Sequence, residues 1–285
     1  MVTFTRRVFR KFLMPVAQQL YLEVLATIGV SIIVCSCALY SPSGAEKVIK
    51  TCYVPTDQAT TLSGHWANIP IPIAFHQGDF TASEMLSMTN AADTWNKFYT
   101  ASQGHTAIDY GGSAASPRLS ASPDANLAGT LCYNGIMQAG AFNGNVVIYK
   151  LGSWPFAANA MALTQFCKNS ATPLPNFYMA VLEINYQNFF VDGVGKYPDL
   201  TSIILHEFGH LAGLNHSCEG SAKSGTPNCN DPSLNPDYAA ASMFPSFGFS
   251  QAGLGQIKQS LGSNDQSRAN CLYNPVTTTP VTPTH

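Results

Sequence analysis

Residues 206–216 read His206-Glu207-Phe208-Gly209-His210-Leu211-Ala212-Gly213-Leu214-Asn215-His216. On an α-helix, residues four apart share a face, so His206 and His210 aim ring nitrogens at one point. Gly213 tolerates positive φ and reverses the chain, which returns His216 as a third ligand. Three imidazoles with a fourth position open make a catalytic zinc site, whereas a structural site is closed by four protein ligands. Glu207 lies about 100° round the helix from His206, where it meets a water on the metal rather than the metal itself. Zinc lowers the pKa of such a water towards about 7, and the glutamate takes its proton. The expected chemistry is attack of activated water on a polarised carbonyl. No packing requirement asks for all five of these residues at these spacings.

A second element lies downstream, where Ala241-Ser242-Met243-Phe244-Pro245-Ser246-Phe247 carries a methionine ahead of a proline. An extended zinc motif followed by a methionine turn is the metzincin signature. Phe208-Gly209, Gly213-Leu214, Ser217 directly after the third histidine, and Met243-Phe244-Pro245 make the chain resemble the matrixins within that clan. The resemblance implies a zinc endopeptidase with one catalytic Zn2+ on His206, His210 and His216, and Glu207 as general base. It also implies Met243 as an apolar floor beneath the imidazoles. Pro245 to Phe247 would then line the pocket for the side chain just beyond the scissile bond. Animal matrixins also bind calcium, but their calcium-ligand motifs are not recognisable in this chain.

The elements that must position these residues are legible in part. Residues 200–211 are apolar and helix-competent, with Pro198 and Asp199 as start and N-cap. Residues 66–80 read as a first strand. Residues 81–102 carry Met85, Met88, Ala92, Trp95 and Phe98 at spacings of three and four, an amphipathic helix with Ser83 and Glu84 near its start. Residues 145–151 and 177–185 are β-rich, and residues 261–273 resemble the family's closing helix. The fold class expected is α+β: a metzincin-like catalytic domain with a twisted mixed β-sheet, an antiparallel edge strand, an active-site helix and a C-terminal helix. By the resemblance, residues 180–185 are the sheet edge that pairs with an extended protein or peptide substrate, while the run taken alone reads equally as a core strand. The stretch 218–240 is a long insertion between the third histidine and the methionine turn, and 103–129 reads as a solvated loop.

Composition bounds the remainder. Charged residues are 11% of the chain, against about 25% in typical soluble domains. Arg6, Arg7, Arg10 and Lys11 precede an uncharged, mostly apolar run at 24–40, which reads as an export signal or membrane anchor over residues 1–45. Val34-Cys35-Ser36-Cys37 loosely resembles a lipobox, which would make Cys37 a lipid anchor, and residues 5–11 resemble a twin-arginine signal. Without residues 1–45 the net charge falls from −2 to −5, which argues against nucleic acid as a partner. Residues 46–273 form the catalytic domain, and the Thr/Pro-rich tail 274–285 should be disordered. The expected location is outside the cytoplasm, secreted or on the cell envelope.

Six cysteines follow the export segment: Cys52, Cys132, Cys167, Cys218, Cys229 and Cys271. An even set in an oxidising compartment predicts three disulfides, with Cys218–Cys229 closing the insertion. Cys52 is the one cysteine placed early enough to cap the zinc as a thiolate, although a disulfide is its expected role. His65, His76, His105 and His285 have no assigned role, and one of them or Tyr238 is a candidate to assist an oxyanion. Two other classes compete with the peptidase. One is a zinc-containing surface module that binds peptides without cutting them. The other is a structural zinc protein whose fourth ligand is Cys218.

Overall fold

Val146, Ile148, Ala180, Leu182 and Ile184 join one buried cluster, while Val147, Tyr149, Met179 and Val181 join a second. This alternation is the period of two along β-strands whose opposite faces are both covered. The computed structural model describes residues 48–121, 146–168, 174–221 and 223–273. The expected export segment, the Thr/Pro-rich tail, His285, Cys132 and residues 122–129 of the expected loop lie outside the described residues. The chain divides into two units, Met1–Lys47 and Val48–His285, and the second holds everything described below.

The class is α+β. The strands are β1 (His65–Trp66), β2 (Ile71–His76), β3 (Ile108–Asp109), β4 (Leu119–Ser120), β5 (Val146–Leu151), β6 (Ala162–Lys168) and β7 (Asn176–Asn185). They form one sheet in the order β1-β7-β5-β2-β3, with β4 beside β2 and β6 beside β7. Every pairing is parallel except β6 with β7, where Thr164 lies opposite Leu182 and Ala162 opposite Ile184.

That pairing corrects the expected edge. Residues 180–185 are interior, bound to β5 on one side and for most of their length to β6 on the other. The outermost strand on this side is β6, and no strand pairs with its other edge among the described residues. The sequence hides it because Ala162 to Phe166 are all half-buried, so the run has no apolar/polar alternation.

Helix α1 (Ala82–Gln103) begins in a capping box: the Thr81 side chain accepts from the Glu84 amide, and Glu84 accepts from the Thr81 amide at 2.7 Å. Gly104, at φ 81°, ends it. The expected apolar stripe is buried at Met88, Ala92, Trp95 and Phe98. Helix α2 (Leu200–Ala212) packs against α1 and shares its core with β2, β5 and β7. Two buried indoles reach its backbone, with Trp95 Nε1 donating to Leu205 O at 2.9 Å and Trp66 Nε1 to Leu211 O at 2.7 Å. The short helices α3 (Pro236–Ala240) and α4 (Ser263–Ala269) complete the fold, α4 falling where the closing helix was expected. No helix among the described residues is long and apolar enough to cross a membrane.

Candidate metal centre

Helix α2 is held at both ends. The Asp199 carboxylate accepts from the Ser202 amide at 2.8 Å as an N-cap. Gly213, at φ 108°, closes the other end, and its amide donates to the His210 carbonyl at 2.8 Å. A Cβ at 213 would collide with the Gly64 carbonyl oxygen, so the turn needs glycine for both backbone angle and space. The chain then doubles back and brings His216 beside His206 and His210. Ring centroids lie 4.8 Å apart for His206 and His210, 5.2 Å for His206 and His216, and 4.9 Å for His210 and His216.

One ligand atom from each of the three rings lies within 4.8 Å of the others, so the cluster is able to hold a metal ion. The chemistry of the donors fits a divalent metal of zinc type. His206 Nδ1 donates to the Ser242 carbonyl and His210 Nδ1 to the Leu214 carbonyl, each at 2.7 Å, which leaves each Nε2 lone pair for coordination. His216 Nδ1 instead faces Glu219 Oε1 at 3.6 Å. Burial holds the His206 pKa well below its ordinary value, and the neighbouring imidazoles add to the effect. Burial likewise lowers His216, to about 3. Neutral imidazoles are the form that binds metal.

Glu207 sits against this cluster, 6% exposed. Burial raises its carboxyl above the ordinary carboxylate range, opposed by His210 and by a hydrogen bond from Thr164. That bond runs from Thr164 Oγ1 on β6 to Glu207 Oε2 at 2.7 Å. The three histidines and Glu207 open into a cavity of about 260 Å³, lined on one side by residues 159–164 and on the other by Ile203, Pro245 and Phe247. The sequence-derived wall residues Pro245 and Phe247 therefore share one cavity with the cluster. The Phe247 ring meets His206 edge-on at 5.9 Å.

Met243 is fully buried against α2, its thioether packed onto Gly209. Its turn is pinned from below. The Asp265 carboxylate accepts from the amides of Ser242 at 2.6 Å, Met243 at 3.1 Å and Gly262 at 2.9 Å. Arg268, fully buried, lies 3.7 Å from Asp265 and donates to the Asn215 carbonyl at 3.0 Å, just before His216. Ser217 completes the link, its amide donating to the Met243 carbonyl and its hydroxyl to the Tyr238 carbonyl, each at 2.8 Å.

Other candidates fall away from the cavity. Tyr238 donates its hydroxyl to Asp57 at 2.9 Å, His105 pairs with Gln103 and His76 with Asp79, and neither these nor His65 line the cavity. Cys52 is bonded to Cys271 and is not a thiolate cap. Cys218 is bonded to Cys229 as expected, which removes it as a fourth metal ligand. Cys167 is also disulfide-bonded. These disulfides point to an oxidising compartment.

Sequence reasoning missed Thr164, Glu219 and Asp265. Only tertiary placement gives the first its role. Glu219 follows the third histidine by three residues, and Asp265 lies in the segment already matched to the closing helix, so both had a local signal.

No protein-family model matches the chain, and neither a curated protein nor a solved structure matches it.

Proposed function

We propose that this chain is an exported zinc-dependent endopeptidase of the matrixin-like metzincin kind. One observation carries the reading: three clustered imidazoles and a buried carboxylate open into the same cavity, beside a strand edge that no other strand takes among the described residues. A metal bound there supplies Lewis acidity, lowering the pKa of a coordinated water towards about 7 and polarising a carbonyl.

The chain's own residues do the rest. His206, His210 and His216 would hold the ion, and backbone carbonyls on Nδ1 orient the first two rings with Nε2 free for it. Among the described residues no strand takes the outer edge of β6, which leaves that edge to an extended peptide. Glu207, with its carboxyl raised by burial, accepts a proton from the attacking water. Water oxygen bonds to the scissile carbonyl carbon, the C–N bond breaks, and Glu207 returns the proton to the leaving amine. Pro245 and Phe247 wall the pocket for the side chain that follows.

The competing binding-module reading needs the carboxylate to be idle, and a structural site needs a fourth protein ligand. Among the described residues no other histidine, cysteine or carboxylate joins the cluster in the way a closed site requires. The test is cleavage of casein by the purified protein before and after chelation and zinc repletion. Activity that disappears with chelator and returns with zinc supports the peptidase. Full zinc occupancy without cleavage sinks it.

A further inference from the structure

The Thr164–Glu207 hydrogen bond joins two parts of the site that the sequence keeps 43 residues apart. Among the described residues Thr164 is the one hydrogen-bond partner of the Glu207 carboxylate, and it takes Oε2. Among the described residues Oε1 has no protein donor. A glutamate side chain has three rotatable bonds, and a single directed donor is what selects one of its orientations.

The strand supplies that direction. The Asn185 amide donates to the Met161 carbonyl at 2.9 Å, which fixes the phase of the antiparallel β6–β7 ladder. Leu163 and Gln165 therefore turn their backbone groups towards β7, while Ala162, Thr164 and Phe166 turn theirs to the outer edge. Thr164 thus presents its amide and carbonyl to whatever pairs with that edge, and its hydroxyl to Glu207. Threonine is β-branched and stiff at χ1, so the hydroxyl follows the backbone closely.

We propose that Thr164 is a positioning residue: it holds Glu207 with one oxygen turned to the metal cavity and couples that orientation to backbone pairing along β6. The proposal rests on the peptidase reading and deepens it. Ordering of β6 by an extended peptide then fixes the base as well as the substrate. Thr164 itself touches no reacting atom.

The test compares the zinc-loaded wild type with Thr164→Val and Thr164→Ser. Valine keeps the shape and removes the donor, while serine keeps the donor. With a peptide substrate, Thr164→Val should lose about 10–100-fold in kcat, with KM changed by no more than about twofold. Thr164→Ser should keep most of the wild-type kcat. Acetohydroxamate, a small zinc chelator whose acidic proton needs an acceptor, gives a readout independent of turnover. Its affinity by calorimetry should fall in Thr164→Val and recover in Thr164→Ser. Unchanged kcat and hydroxamate affinity in Thr164→Val overturns the proposal, as do equal losses in the two variants. A zinc-loaded wild type that binds hydroxamate but cleaves no peptide defeats the peptidase reading, and the affinity ratio alone then decides the role of Thr164.

Discussion

The Met243 thioether fills the space into which a side chain at Gly209 would grow. A Cβ at 209 collides with Met243 Sδ and comes within 3.2 Å of the Trp95 ring. Gly209 lies between His206 and His210 on the helix, so its close approach sets how near the methionine turn packs to that stretch of helix.

Gly209→Ala tests this contact by the sign of its effect. Helix propensity alone favours alanine by about 1 kcal/mol. Overpacking a filled core costs about 1–3 kcal/mol. The contact should dominate, lowering the melting temperature by several degrees, at about 2–4 °C per kcal/mol for a domain of this size. Zinc affinity should fall as well, because His206 and His210 ride on the same turns. A stabilised variant with unchanged zinc affinity would remove the packing argument.

The two described disulfides should separate global stability from the metal site. Cys218–Cys229 spans 11 residues of sequence and begins two residues after His216, whereas Cys52–Cys271 spans 219. Loop-closure entropy assigns about 3 kcal/mol to the first and about 5 kcal/mol to the second. Replacing Cys218 and Cys229 by serine should weaken zinc binding through the freed Glu219 and His216. Replacing Cys52 and Cys271 should cost more stability and leave zinc affinity near that of the wild type. Denaturant midpoints and chelator competition on the two double variants check both halves.

Glu84 should contribute a distinct share of the acid sensitivity, below that of the buried histidines in pH. Burial raises its carboxyl, but hydrogen bonds from Lys150, Tyr186 and both Thr81 groups outweigh this and lower its pKa from 4.5 to about 2. A depressed carboxylate stabilises the fold fully above its unfolded value, and that contribution fades as pH falls from 4.5 towards about 2. Glu84→Gln should therefore flatten the stability profile between those limits while lowering stability at neutral pH. Thermal melts of both proteins across this range, each taken without zinc so that the depressed His206 and His216 contribute equally to both, measure the difference.

The metal helix was legible because one contiguous run carried its periodicity, its Asp199 cap and its Gly213 stop. The methionine turn was legible for the same local reason. Strand β6 was not, because its half-buried faces show no alternation. Missing β6 is also why residues 180–185 looked like an edge: nothing in their own composition records which neighbour covers them. Asp265 and Arg268 are charges that the fold buries completely, and only the contact between α4 and the methionine turn explains that burial.

The central claim is that Glu207 works as a base on a metal held by three histidines, and one comparison tests it directly. Wild type and Glu207→Gln, each loaded with zinc and assayed for bound metal, are incubated with a peptide library whose products are mapped by mass spectrometry. The expected result is equal zinc content, internal cleavage by the wild type, and a loss of about a thousandfold or more in the variant, of the order seen when a catalytic group is removed. Equal cleavage by both proteins, or none by a fully zinc-loaded wild type, would contradict it.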